Sequence, residues 1–422
     1  MRVSIVGYGR SGKAAAALAK SAGYEVFVSD IKPIDFEGEK ETGHSEKILD
    51  ADLIVVSPGI RELEILEKAR DKVIGEIEFA YRFVKGDIIG VTGTNGKTTT
   101  ASLIHSILQE AGYPVSLCGN IYPGIPMSQA VLERKGEGIF VVELSSFQLE
   151  GIREFRPKIG IITNITLDHM DRYEKREDYV RAKERIFMNK RDEDIAVLNG
   201  RDGECLRIGK KLTNVHYFWK DIEWNGANAV YHGRGIFAKE DVLYPAEFFV
   251  ENALAASLAC LLYGVSDEYI KKGIRKFRGV PHRLEFVREI NGVKFINNSM
   301  CTNPVAFYKT IKSFPGCVVI AGGKLKGMNP ELIVKGIREY AKGCVLIGES
   351  KEELERKLKE TGYNQIELAS SMRDAVRKAL GFDPELVILS PGGSSFDMFR
   401  DFVERGEVFK KEVLSIEEEK DT

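Results

Sequence analysis

The residues with the clearest chemical potential lie at 90–100, GVTGTNGKTTT. Gly93 and Gly96 can turn backbone N–H groups inward, the following helix start adds a positive dipole end, and Lys97 adds a full charge. Such a loop cradles phosphates, and a threonine directly after the lysine, here Thr98, can ligate Mg²⁺. The strict spacing GxxxxGK[ST] is not met, because position 91 is Val and the upstream glycines are 90 and 93. An ordinary Gly-rich turn is the alternative. The flanking apolar strand pattern and helix pattern favour the phosphate loop.

Two more segments carry candidate ligands. VVELSSFQLE at 141–150 puts Glu143 at the end of an apolar strand, next to Ser145 and Ser146. TNITLDHMDRY at 163–173 puts Asp168, His169 and Asp171 just past the end of another. In an open α/β sheet, ligands bind outside the carboxyl ends of the strands. A phosphate cradle, a carboxylate and an imidazole at one sheet edge suit Mg²⁺ or Mn²⁺. Lone Glu and His residues are more often structural; convergence on one edge favours a site. Lys183, in YVRAKERIF, falls on a helix, where an isolated lysine is ordinarily solvent-facing. GYGRSG at 7–12 matches GxGxxG, and Asp30 ends the next strand. That is the outline of a dinucleotide site. A redox role would need further nicotinamide or flavin features; a turn kept for packing, or for another phosphate-bearing ligand, is the alternative.

These residues need a scaffold of strands with helices between them. RVSIV, EVFVSD and ADLIVV suit buried parallel strands, and a second alternating series runs from DIIGVTG to about residue 275. Residues 205–250 are irregular and suit a small antiparallel appendage. GVPHRLEF at 279–286 reads as a hinge before a third α/β series. The expected fold is α/β with three domains: a Rossmann-like N-terminal domain at 1–86, a P-loop-type ATPase domain at 87–280 and a Rossmann-like C-terminal domain at 281–422. The 422 residues carry 61 basic and 63 acidic side chains, a net charge of -2. That balance gives no support for nucleic-acid binding. No apolar run is long enough for a membrane span, and six scattered cysteines without a CxxC pair suit free thiols in a reducing compartment. The expectation is a cytoplasmic monomer acting on small molecules.

The motifs GYGRSGKAA, SPGI, GVTGTNGKTTT, ELSSFQLE, NITLDHMDRY, YVRAKERIF, PHRLE and LSPGGSSFDMFRDFVERGEVF together resemble the Mur ligases, most closely their MurD type, over nearly the whole chain. That resemblance implies an ATP-dependent ligase, forming ADP, that activates a carboxylate as an acyl phosphate. It implies ATP contacts from Gly93, Thr94, Asn95, Gly96, Lys97, Thr98, Thr99, Asn252, Arg283 and Asn298. It implies two Mg²⁺ ions, one at Thr98 and Glu143, the other at His169 and a carbamoylated Lys183. The catalytic set is then Lys97, Glu143, His169 and Lys183, and the bland reading of Lys183 is reversed. Retention of this set argues against a nucleotide sensor without turnover. The first substrate would meet Ser11, Asp30 and Asn120. The acceptor side would hold Met300, Cys301, Thr302, Lys326, Ser395 and Phe402.

The sequence departs from the MurD pattern at FINNSMCTNP, 295–304. The type usually reads NDSKATN there, and its lysine helps to hold D-glutamate. Met300 stands at the lysine, Cys301 at the alanine and Asn298 at the aspartate that contacts ribose. The His-Asn pair before the adenine-side asparagine is missing, and GNIYPGIP at 119–126 is longer than the family's turn. Soft apolar residues suit a macrocycle better than a dicarboxylate. The expectation is therefore a MurD-like coenzyme F-430 synthetase, closing the last ring of a nickel tetrapyrrole. D-glutamate ligation to UDP-N-acetylmuramoyl-L-alanine is the alternative, and archaeal cell-wall peptide ligation a further one.

Overall fold

The computed structural model describes residues 1–60, 63–122, 124–166, 173, 175–244 and 246–417. The chain divides into two compact units, Met1–Phe277 and Arg278–Thr422. It is α/β throughout, with three sheets of mostly parallel strands.

The first sheet contains β1 (Arg2–Val6), β2 (Glu25–Asp30), β3 (Glu39–Thr42), β4 (Leu53–Val56) and β5 (Val73–Gly75), all parallel, in the order β3-β2-β1-β4-β5. Val3, Ile5, Val26, Val28, Leu53 and Val55 build its core, which explains the near-continuous apolar runs. Strand order reverses beside β1, so a crevice opens there at the carboxyl edge. Helix Arg10–Ser21 leaves β1 through the GxGxxG turn. Gly7 has φ +89°, and a Cβ on Gly12 would lie 1.8 Å from the Gly7 carbonyl oxygen. The third glycine is thus required for the helix to approach the strand.

The second sheet, in the same unit, contains β6 (Asp87–Thr92), β7 (Val115–Gly119), β8 (Ile139–Glu143), β9 (Ile159–Ile162), β10 (Ile195–Asn199), β11 (Val215–Phe218), β12 (Ile222–Trp224), β13 (Asn228–Tyr231) and β14 (Arg234–Ala238). Its order is β14-β13-β12-β11-β10-β9-β6-β8-β7. The part from β7 to β12 is parallel, and β12, β13 and β14 form an antiparallel edge. This edge is the appendage expected from the irregular stretch, and Trp224 stacks on Phe237 within it. Helix Glu247–Tyr263 is buried on most of its circumference, so it shows no amphipathic stripe in sequence.

The second unit holds β15 (Glu285–Ile290), β16 (Val293–Asn297), β17 (Val318–Gly322), β18 (Gly343–Ile347), β19 (Ile366–Leu368) and β20 (Leu386–Gly392), in the order β15-β16-β20-β17-β18-β19. β15 pairs antiparallel with β16 and the rest are parallel. The loop NSMCTN leaves the carboxyl end of β16. Asn303 caps the following helix, Pro304–Ser313, by accepting the Ala306 N–H, and Pro304 takes the first helical position, where its missing N–H costs nothing.

Gly12→Ala is expected to lower stability by about 1–3 kcal/mol, through steric overlap at the β1 turn. Gly203→Ala, where an added methyl meets open space, should stay within about 0.5 kcal/mol. Thermal melts of the two variants check this contrast.

Candidate active site

The phosphate loop leaves β6 at Thr92 and enters helix Lys97–Glu110. Gly93 (φ +144°) and Gly96 (φ +81°) hold backbone angles that L side chains rarely adopt. A Cβ at Gly93 would stand 1.9 Å from Thr163 Oγ1, and one at Gly96 would stand 2.2 Å from Asn252 Oδ1. The loop is therefore wedged between the end of β9 and helix Glu247–Tyr263. Asn164 clamps it: its carbonyl accepts the Thr94 N–H at 2.8 Å, and its side-chain oxygen accepts the Asn95 N–H at 2.9 Å. Its Nδ2 donates to the Asn95 carbonyl at 3.1 Å. Thr163 Oγ1 donates to the same carbonyl at 2.6 Å. Thr94 Oγ1 lies 3.1 Å from the Tyr179 hydroxyl. Gly96, as N-cap, brings no capping side chain, so the first turn offers its N–H groups to an anion. Lys97 Nζ arches back onto the carbonyls of Gly93 (3.0 Å) and Thr94 (2.9 Å). Thr98 is buried behind it, and Thr99 follows in the first turn of the helix.

Register puts the carboxylate beside this loop. Glu143 pairs with Val91 of β6 on one side and with Gly119 of β7 on the other. It is 2% exposed, and its Oε1 lies 3.4 Å from Asn120 Nδ2. Lys183 is also 2% exposed. Its Nζ donates to the Gly93 carbonyl at 2.8 Å and sits 4.5 Å over the Tyr179 ring. The solvent-facing placement usual for a helical lysine does not apply, because Tyr179 and the loop enclose the side chain. His169, Asp168 and Asp171 lie outside the described residues.

Ser11, Asp30 and Asn120 come together on one cleft of about 480 Å³ in the first unit, with Gly7, Arg10, Ser57, Tyr122 and Gln148. Asp30 accepts the N–H groups of Tyr8 (2.5 Å) and Lys32 (2.9 Å). Burial pulls its pKa up, but these two bonds and the charges of His44 and Lys32 outweigh it, and the net direction is down. The carboxylate is therefore held ionised at the edge of the cleft.

Asn252 does not project into open space: its Oδ1 accepts the Thr100 hydroxyl at 3.2 Å. In the second unit, Asn298 is turned inward. Its Nδ2 donates to Thr310 (3.2 Å) and Ser390 (3.3 Å), and its Oδ1 accepts the Leu284 N–H at 3.3 Å. Arg283 Nη2 lies 3.3 Å from Met300 Sδ. Cys301 is 4% exposed, and burial pushes its thiol pKa up. This small thiol is packed within the loop that follows β16. Ser395 is buried as well, while Thr302 and Phe402 are half-buried. Lys326 is exposed, at φ +52°, and its Nζ sits 4.4 Å over the Phe396 ring.

Sequence reasoning missed Asn164, Tyr179 and Arg405. Asn164 had a usable signal, a polar residue at the carboxyl end of a buried strand. Arg405 had none, because a charged helix residue ordinarily faces water. Here it is buried and donates to Ser299 Oγ, the Ser299 carbonyl and the Gly393 carbonyl. Burial pushes its pKa down to about 10. It ties the loop after β16 to the loop after β20.

A Gly-rich loop that runs into a helix N-terminus suits phosphates, and this one keeps its shape only with glycine at 93 and 96, where a Cβ would strike Thr163 or Asn252. The donor set beside it is oxygen-rich, with the Thr98 hydroxyl and the Glu143 carboxylate, which is the chemistry Mg²⁺ takes. Among the described residues no three His, Cys, Asp or Glu side chains form a metal cluster of their own. A metal here would share its coordination with phosphate oxygens.

The family model of the Mur ligase middle domain matches residues 91–260, and that of the MurD N-terminal domain matches residues 2–64. The chain is 37% identical over 446 residues to a UDP-N-acetylmuramoylalanine--D-glutamate ligase of Caldicellulosiruptor bescii, covering 97% of each chain. It is 36% identical over 420 residues to the ligase of the same name from Aquifex aeolicus, covering 97% of this chain and 98% of that one. Among solved structures, the UDP-N-acetylmuramate-alanine ligase MurC of Thermotoga maritima has TM-score 0.61 at 20% identity, covering 98% of this chain and 99% of that one. A pseudomurein peptide ligase type C from Methanothermus fervidus has TM-score 0.54 at 20% identity, covering 97% and 99%. The two structural likenesses establish the shared fold. The chain belongs to the Mur ligase family, and it is an ATP-dependent ligase.

Lys97→Ala is expected to lower substrate-dependent ATP turnover by roughly two orders of magnitude or more, the scale of losing a charge-stabilising group. Phosphate release under saturating ATP measures it.

Proposed function

We propose that this ligase joins D-glutamate to UDP-N-acetylmuramoyl-L-alanine. The observation that carries the reading is the full-length likeness to ligases of that name, at 37% and 36% identity. The match of residues 2–64 to the MurD N-terminal domain supports it on the side of the first substrate. These findings favour the D-glutamate reading over the tetrapyrrole reading suggested by Met300 and Cys301. Met300 still leaves the loop without the lysine usual in the MurD type. Arg283 is in contact with Met300, and Arg405 donates to the neighbouring Ser299, so the loop still has cations beside it.

The mechanism follows from the residues. The loop 93–99 holds the ATP phosphates with backbone N–H groups, and Lys97 places its charge over the cradle. Asn164 keeps the loop in shape from below. The γ-phosphoryl group passes to the L-alanyl carboxylate of the first substrate, giving an acyl phosphate. The D-glutamate amine attacks that carbonyl, and phosphate leaves. Asn120 lines the first-substrate cleft and its amide lies 3.4 Å from Glu143 Oε1, which joins the cleft to the carboxylate beside the phosphate loop. Thr98 and Glu143 would hold one Mg²⁺, and His169 with a carbamoylated Lys183 a second; the ions supply neutralisation of the transferring charge. Lys183 suits that role in position, because its Nζ lies against the loop, 2.8 Å from the Gly93 carbonyl. The enzyme works as a cytoplasmic monomer in this reading.

Purified protein should release phosphate from ATP when UDP-N-acetylmuramoyl-L-alanine and D-glutamate are supplied together, and not when either is left out. No release with the pair, together with stimulation by a seco-tetrapyrrole acid, would reverse the choice of substrate. Lys183→Ala should lose activity and regain part of it with added short carboxylates, which replace the missing oxygen ligand. A titration of the variant with acetate checks this.

A further inference from the structure

Two buried carboxylates on the helix after β5, Glu76–Tyr81, reach out of the first sheet's layer and bind main chain beside the second sheet. Glu76 and Glu78 are 2% and 0% exposed. Glu76 Oε1 accepts the Ser128 N–H at 2.6 Å. Ser128 lies in the first turn of helix Met127–Arg134, whose N-cap, Pro126, has no acceptor side chain. Glu76 therefore caps that helix from outside its own segment. Glu78 accepts three consecutive N–H groups: Arg153 at 2.8 Å, Glu154 at 2.9 Å and Phe155 at 2.9 Å. A buried carboxylate is costly unless such donors satisfy it.

The segments so held are those that wall the cleft at Ser11 and Asp30. Asn120 and Tyr122, and Pro126 at the start of the capped helix, line the cleft. Asn120 is fixed where its N–H donates to the Glu143 carbonyl at 2.8 Å, and Arg10 donates to the Gly124 carbonyl. The helix start is fixed by Glu76. Helix Ser146–Glu150, immediately before the segment bound by Glu78, contributes Gln148 to the same cleft. Both walls drawn from the second sheet's layer thus rest on one short helix of the first.

We infer that Glu76 and Glu78 are positioning residues for the first substrate, setting the gap between the cleft walls without touching the ligand. The inference rests on the reading that this cleft takes UDP-N-acetylmuramoyl-L-alanine. Loss of the Glu76 cap leaves the helix start at Pro126 and Ser128 free to move, and binding must then order it. That cost falls on the affinity for the first substrate and spares ATP, whose loop is clamped separately by Asn164.

The test compares Glu76→Gln, which keeps an acceptor of the same reach, with Glu76→Asp, which keeps the carboxyl group but draws it back by one methylene. Glu76→Asp should raise the KM for UDP-N-acetylmuramoyl-L-alanine about fivefold, the scale of a lost helix cap, with the KM values for ATP and D-glutamate and kcat within about twofold of the wild type. Glu76→Gln should restore the wild-type KM. An unchanged KM in Glu76→Asp, or a uniform loss in all parameters, would overturn the inference. Should Glu76→Asp not fold, hydrogen exchange of the Ser128 amide in the wild-type protein decides: the first substrate should slow it, and an unchanged rate overturns the inference. Calorimetry of wild-type protein with UDP-N-acetylmuramoyl-L-alanine separates the two levels. No binding removes the substrate reading and this inference with it, whereas wild-type binding with an equal Kd in Glu76→Asp removes the inference alone.

Discussion

The register of β6 against β8 and β9 is the constraint on which the site in the first unit depends. It sets Val91 beside Glu143 and Thr92 beside Ile162. Everything chemical then emerges from adjacent strand ends. β6 releases the phosphate loop, β8 ends on the carboxylate, and β9 releases Thr163 and Asn164, which bind the loop. A slip of one residue in a strand inverts its side chains. That slip would turn Glu143 to the opposite face and drive the β9 end away from Asn95. The apolar cores on both faces of this sheet hold the register.

The loop itself depends on glycine at two positions where other residues would be strained. Its two positive-φ glycines are packed so closely against Thr163 and Asn252 that no side chain fits. The cost of ordering glycine is offset by bonds from Asn164 and Thr163, and by the burial of Thr98 and Thr100. The result is a loop held in one shape by its own packing and hydrogen bonds, the kind of fixed donor array that electrostatic catalysis of phosphoryl transfer uses. Lys183 extends the same logic. A side chain that would ordinarily trail in water is buried on Tyr179 and donates to the loop.

The second unit uses a buried charge for a similar purpose. Arg405 holds three acceptors around Ser299 and Gly393, and the loop after β16 folds over it. The soft residues of that loop then separate into two kinds. Cys301 is packing, and Met300 is half-buried with its sulfur on Arg283.

Much of this was legible from the sequence because the signals are local. A strand, two glycines, a lysine and a threonine in one short run define a phosphate loop, since its geometry is made by neighbours in the chain. Glu143 was legible as well, because the carboxyl ends of parallel strands share one edge. The burial of Lys183, the clamp at Asn164, the inward turn of Asn298 and the packing of Cys301 were not legible. Each depends on contacts between segments far apart in sequence, such as Lys183 with Gly93 and Arg405 with Ser299. The contacts of Glu76 and Glu78 are of the same kind: in sequence they are two glutamates of a short polar helix, and only the approach of the two sheet layers makes them caps. The sequence by itself determined the three α/β series and the strand, glycine loop and helix at 87–110, because periodicity and turn chemistry act over a few residues, and its run of motifs pointed to the family. The tertiary structure decided which polar side chains are buried and what they hold, because burial is a property of packing that no single segment contains.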